Sequence, residues 1–123
     1  MFVSVCALEK KRILYVEDDQ DVARLTKLML ERKRPYEVRL ETDSTKALGA
    51  ARLFRPDVIL LDMIMPEMDG GDVAFQIRQD AELKGVPIIF LTAVARPLEG
   101  FPFLAKPIAI EEVIACIEKH SMS

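Results

Sequence analysis

An α/β fold built on a parallel sheet with helices on both faces is what this sequence predicts, and three features carry the prediction. Short β-rich runs alternate with stretches of helical periodicity along nearly the whole chain. Two of the runs, Val58-Ile59-Leu60-Leu61 and Ile88-Ile89-Phe90-Leu91, are apolar throughout, as strands buried on both faces are. The first of these stops abruptly at one carboxylate, Asp62, and turn chemistry follows at Pro66 and Asp69-Gly70. Open α/β sheets place their ligand sites at the carboxyl ends of strands. Asp62 on its own also has the plainer reading of a turn residue.

The remaining elements fall in order. Residues 11–17 form a β-rich run that stops in the acid cluster Glu17-Asp18-Asp19, with Asp21 just beyond. Asp19 or Asp21 can cap the helix that follows over about 21–33, where Val22, Leu25, Leu28, Met29 and Arg32 recur at helical spacing. Pro35 stops that helix. Residues 36–41 alternate strictly, as a half-exposed strand near a sheet edge does. Ser44 is expected to cap a second helix that turns Ala47, Leu48, Ala51 and Leu53 or Phe54 to the core, with Gly49 a local weakness and Pro56 its end. A third helix is expected from Gly71 to about Ala81, and a buried strand over 87–92 ends in Thr92. A short last strand, 101–105, runs into Lys106-Pro107, and Ile110, Val113, Ile114 and Ile117 mark a final helix reaching about His120. Between Ala93 and Pro102 only ten residues remain, three of them Pro or Gly, too few for a full crossover helix. A single turn or an extended loop is expected there.

Bulk properties narrow the function. The length suits one domain, with residues 1–10 an N-terminal extension and 11–121 the folded unit. Half the residues are hydrophobic and 30% are charged, the balance of a soluble globular protein. A net charge of −3 gives no basic footprint, so direct binding to nucleic acid is not expected. No apolar run approaches the ~20 residues of a membrane span. Lys10, Lys11 and Arg12 follow the apolar start rather than precede it, the wrong order for a signal peptide. Cys6 and Cys116 lack metal spacing and suit a reducing, cytoplasmic compartment. His120, the one histidine, has no partner for a metal site or triad, and suits a helix C-terminus.

The chemistry lies in the residues that the strand ends deliver to one edge: Glu17 and Asp18, then Asp62, then Thr92, then Lys106. Each alone is unremarkable; the set at four strand ends is harder to dismiss. Crowded carboxylates repel and raise one another's pKa, and a hard divalent cation such as Mg²⁺ relieves this. The chemistry implied is phosphoryl transfer, with Asp62 as nucleophile, Lys106 neutralising charge on the transferring group and Thr92 donating a hydrogen bond to it. Met63, Met65 and Met68 read as flexible packing, since thioethers do not select Mg²⁺.

Taken together, Glu17-Asp18, Asp62 with Met65-Pro66-x-Met68-Asp69-Gly70, Thr92-Ala93 and Lys106-Pro107 resemble the receiver domain of two-component response regulators, over about residues 11–120. The resemblance implies a flavodoxin-like (βα)5 doubly wound sheet of strand order 2-1-3-4-5, here with the fourth helix short or missing. It also implies Mg²⁺-dependent transfer of a phosphoryl group to Asp62 from a histidine kinase or a histidine phosphotransfer protein. Asp18 and Asp62 would ligate Mg²⁺ directly, Glu17 through water, and Ile64 through its backbone carbonyl. Thr92 and Phe103 would be the switch residues, and the peptide before Pro107 would be cis. Such a domain is no enzyme in the usual sense: it catalyses only its own phosphorylation and dephosphorylation.

The short connection after Thr92 departs from the family pattern, so a homodimer would need an atypical face. Residues 94–102 are expected to order on phosphorylation. Ile64 and Val94 stand where the family tunes dephosphorylation; both are apolar, which implies slow loss of phosphate. Ala23 and Leu30 would offer the first helix to a partner, or else be a half-buried flank. Two other classes compete. A pseudo-receiver would keep the fold and act as a phosphorylation-independent interaction module, which the short connection favours and the complete acid, Thr and Lys set opposes. A flavodoxin-like nucleotide or flavin binder lacks its Gly-rich loop here. The chain reads as a stand-alone receiver or one excised from a larger regulator.

Overall fold

The computed structural model describes residues 10–93 and 98–121. Five strands, β1 (Lys11–Val16), β2 (Tyr36–Glu41), β3 (Val58–Asp62), β4 (Ile88–Thr92) and β5 (Phe103–Ala105), form one sheet in the order β2-β1-β3-β4-β5. Every pairing is parallel. Among the described residues, four α-helices cover it: α1 (Gln20–Lys33), α2 (Ala47–Phe54), α3 (Gly70–Gln79) and α4 (Ile110–His120). This is the flavodoxin-like topology expected of the sequence.

Alternation along each strand sends successive side chains to opposite faces, and so builds two cores. Leu14, Val16, Ile59, Leu61 and Phe90 meet α2 and α3 on one face. Ile13, Tyr15, Val58, Leu60 and Leu91 meet α1 and α4 on the other. Both central strands, β3 and β4, are buried along their whole length, as their uninterrupted apolar runs require. On the outer strand β2, Tyr36 and Val38 are buried while Glu37 and Arg39 face out.

Side-chain capping fixes the starts of α1 and α3. Asp19 caps α1 by accepting from the N–H groups of Asp21 and Val22. Asp69 and Asp72 form a reciprocal capping box at the start of α3. The expected cap at Ser44 is corrected. Asp43 caps a short 3₁₀ turn, Ser44–Lys46, that leads into α2. Ser44 is buried instead, its hydroxyl donating to the carbonyl of Pro66 at 3.2 Å. The end of α2 is closed by Arg55 in the left-handed region, φ 55°.

The apolar stripe of α1 is corrected as well. Ala23, Thr26 and Leu30 are its buried residues. Val22, Leu28 and Met29 stay partly in solvent, and Leu25 is 60% exposed. The small side chains of Ala23 and Thr26 are the ones that turn to the sheet and α4. Val22, Leu25 and Met29 line a groove of about 290 Å³ with Lys106, Pro107, Ile108 and Ile110. With both fully buried, Ala23 and Leu30 are not a docking surface.

Residues 94–97, and with them Val94 and part of the expected loop, lie outside the described residues. Among the described residues between β4 and β5 there is no helix. Phe101 partly covers the sheet there. Its ring meets Phe90 edge-on at 5.3 Å between centroids, and the Arg78 guanidinium lies 5.3 Å from its centre. β5 begins at Phe103 rather than residue 101, because Pro102 has no N–H to add to the ladder; its carbonyl still accepts from Phe90 at 3.0 Å.

Candidate functional site

Parallel pairing lines up the carboxyl ends of β1, β3, β4 and β5 on one edge. Asp62 is the last residue of β3, Glu17 follows β1 by one, and Thr92 ends β4. Lys106 follows β5 by one, and its N–H donates to the Thr92 carbonyl at 2.8 Å. One ligand oxygen each from Glu17, Asp18 and Asp62 can be chosen so that all lie within 4.8 Å of one another. Glu17 is 2% exposed and Asp62 5%, while Asp18 faces solvent. Thr92 is buried beside them.

Lys106 joins the two buried acids. Its Nζ donates to Glu17 Oε1 at 2.9 Å and stands 3.3 Å from Asp62 Oδ1. Burial pushes the Glu17 carboxyl up, but donation from Lys106 Nζ and the Asp19 N–H outweighs it and holds the group below its usual range. Asp62 goes the other way. Burial first, and the charge of Glu17 second, push it up to about 6 against the pull of Lys106. Burial would lower the Lys106 ammonium, yet the two carboxylates carry it above its ordinary value.

These groups suit a hard divalent cation. Three carboxylates face one ammonium, leaving an excess of two negative charges that oxygen-seeking Mg²⁺ would offset. Burial and, after it, the Glu17 charge raise the Asp62 pKa, and a bound cation would bring it down again.

The loop after β3 is held by its own backbone. The Gly70 N–H donates to the Met63 carbonyl at 2.7 Å, and Glu67 takes φ 70°. Gly70 has no room for a side chain: a Cβ there would lie 2.4 Å from the Asp62 carbonyl oxygen and 2.9 Å from Met63 Cα. Met65 is buried, and Met63 and Met68 pack partly against the α2–α3 core, which accounts for these methionines as packing. The Ile64 side chain is 59% exposed, and its N–H points to Asp62 Oδ1 at 3.4 Å. The Lys106–Pro107 peptide is cis.

Of the expected site residues, Glu17, Asp18, Asp62, Thr92 and Lys106 gather at the strand ends, with Ile64 on the adjoining loop. Phe103 does not join them; it stands on the edge strand, 47% exposed. Sequence reasoning passed over Tyr15, whose buried hydroxyl lies 3.3 Å from Glu17 Oε1. The signal was available: two residues before Glu17, Tyr15 shares its face of the strand. Its phenol is raised above its ordinary value, chiefly by burial and then by the Glu17 charge.

Fold and site together define a doubly wound parallel-sheet protein with an acid–lysine centre at the strand ends. A profile of the response regulator receiver domain matches residues 13–118, and the chain belongs to that family. The DNA-binding response regulator MtrA of Mycobacterium tuberculosis (strain ATCC 25618 / H37Rv) is 37% identical over 114 residues, 86% of this chain and 48% of that protein. The DNA-binding dual master transcriptional regulator RpaA of Synechocystis is 32% identical over 112 residues, 85% of this chain and 46% of that protein. The chain thus spans about half the length of these curated relatives. Among solved structures, the Vibrio cholerae chemotaxis protein CheY4 matches with a TM-score of 0.83 at 26% identity, covering 91% of this chain and 99% of that one. A sensor protein from Polaromonas sp. JS666 also matches at 0.83, with 27% identity, over 91% of this chain and 96% of that one.

Proposed function

We propose that the chain, with residues 11–121 as one folded unit, is a phosphoacceptor. Asp62 takes a phosphoryl group from a phosphohistidine on a histidine kinase or phosphotransfer protein. A carboxylate oxygen of Asp62 forms a bond to phosphorus as the phosphorus–nitrogen bond breaks. The imidazole leaves with the electron pair and takes up a proton, and an acyl phosphate remains on Asp62. Lys106 holds Asp62 ionised before transfer and afterwards pairs with the phosphoryl oxygens, while the Thr92 hydroxyl donates to them. Asp18 and Asp62 would hold Mg²⁺, with Glu17 acting through water and Ile64 through its carbonyl; the ion supplies positive charge to the phosphoryl oxygens. A cytoplasmic setting follows from such a donor.

The observation that carries this reading is Lys106 Nζ within ion-pair distance of both Glu17 and Asp62, with Asp18 alongside. The test is incubation with acetyl phosphate with and without Mg²⁺, read by intact mass and ³¹P NMR. A gain of one phosphoryl group that needs Mg²⁺ and disappears in Asp62→Asn supports it. No gain in the wild type sinks it and favours a phosphorylation-independent interaction module, the reading suggested by the absence of a helix among the described residues between β4 and β5.

A further inference from the structure

We propose that Tyr15 is a positioning residue for Glu17, its buried hydroxyl holding the Glu17 carboxylate in the orientation in which the acid cluster takes a divalent cation. The proposal rests on reading that cluster as a Mg²⁺ site. Tyr15 is wholly buried on the face of the sheet that also carries Ile13, Leu60 and Leu91. A hydroxyl in such apolar surroundings is costly unless it is bonded, and phenylalanine would fill the same space without that cost. The hydroxyl lies 3.3 Å from Glu17 Oε1. Its second hydrogen-bond partner is Thr26, the one polar side chain among the buried residues of α1. With Thr26 donating to the phenol oxygen, the phenol hydrogen is directed to Glu17.

The remaining donors to Glu17 show why this one matters. Oε1 receives Lys106 Nζ, and Oε2 receives the Asp19 N–H at 3.2 Å. When Lys106 turns to a phosphoryl group on Asp62, Oε1 loses its stronger donor. Tyr15 is then the side chain that keeps Glu17 aimed at the cluster, and it is anchored by α1 rather than by the phosphoryl group. A contact of 3.3 Å is longer than the usual 2.7–2.8 Å hydroxyl bond, so the effect belongs at the low end for groups that orient metal ligands.

The test is Mg²⁺ binding to the full chain by calorimetry, for wild type, Tyr15→Phe, Glu17→Ala and the double variant, with thermal melts of each. Tyr15→Phe is expected to weaken Mg²⁺ affinity by about 10-fold and to leave the melting midpoint nearly in place. In the Glu17→Ala background the same change is expected to have no further effect on affinity. Wild-type affinity in Tyr15→Phe, or an equal loss in both backgrounds, overturns the positioning role. If Tyr15→Phe also melts lower, the comparison of the two backgrounds, made well below every midpoint, still decides. A wild type that binds no Mg²⁺ at millimolar concentration removes the metal-site reading and this proposal together. A wild type that binds beside an unaltered Tyr15→Phe removes only the latter.

Discussion

Lys106 Nζ stands 3.3 Å from Asp62 Oδ1, bringing a cation from the end of β5 to the acid at the end of β3. Lys106→Met removes that cation while keeping the stem. In its absence the burial and Glu17 repulsion that raise the Asp62 pKa act unopposed. Phosphorylation by acetyl phosphate is expected to slow about 100-fold, as when a donor to a developing anion is removed. Progress curves by intact mass measure it.

Asp62 also makes the metal-free protein pH-sensitive. Burial and the Glu17 charge push its carboxyl up to about 6 in the folded protein from an ordinary 3.8, so the folded state holds the proton more tightly. Ionisation therefore costs stability as pH rises from about 4 to about 6, and the full cost, on the order of 3 kcal/mol, is present above that window. Asp62→Asn is expected to be more stable than the wild type by that amount at pH 7.5 in EDTA. The advantage fades towards pH 4, and Mg²⁺ narrows it at pH 7.5. Urea midpoints across this range test the sign.

Gly70 meets backbone rather than a movable side chain. Gly70→Ala must displace the Asp62–Met63 peptide, and is expected to cost about 2–3 kcal/mol in urea denaturation. An unchanged midpoint would show that the loop moves freely.

Arg55 pays the left-handed penalty at the end of α2, and its ion pair with Glu82 at 3.5 Å is exposed and weak. Arg55→Gly is expected to raise stability by about 1 kcal/mol, read as a higher thermal midpoint.

The exposed side chain of Ile64 cannot orient an attacking water. With Asp62 phosphorylated, Ile64→Asn is expected to speed loss of phosphate several-fold, followed by ³¹P NMR. An unaltered decay rate would count against the slow hydrolysis inferred for the wild type.

What the sequence by itself determined is what depends on neighbours along the chain. Strand periodicity, the turn residues after Asp62, and the acid, hydroxyl and lysine at successive run ends were all legible, because a parallel sheet carries run ends to one edge whatever the packing. That the connection between β4 and β5 is short for a full crossover helix was legible from chain length alone. Tertiary structure decided which face of each helix turned inward. The large apolar residues of α1 predicted one stripe, yet Ala23, Thr26 and Leu30 were buried, because the choice depends on what the sheet and α4 present to the helix. In the same way Ser44 exchanged a cap for a bond to Pro66, 22 residues away. Tyr15 found Glu17 on its own strand face and Thr26 on a helix, a pairing that requires both elements in place. Spacing along the chain names the groups at a strand end; only packing across the sheet sets which of them share a proton, a cation or a hydrogen bond.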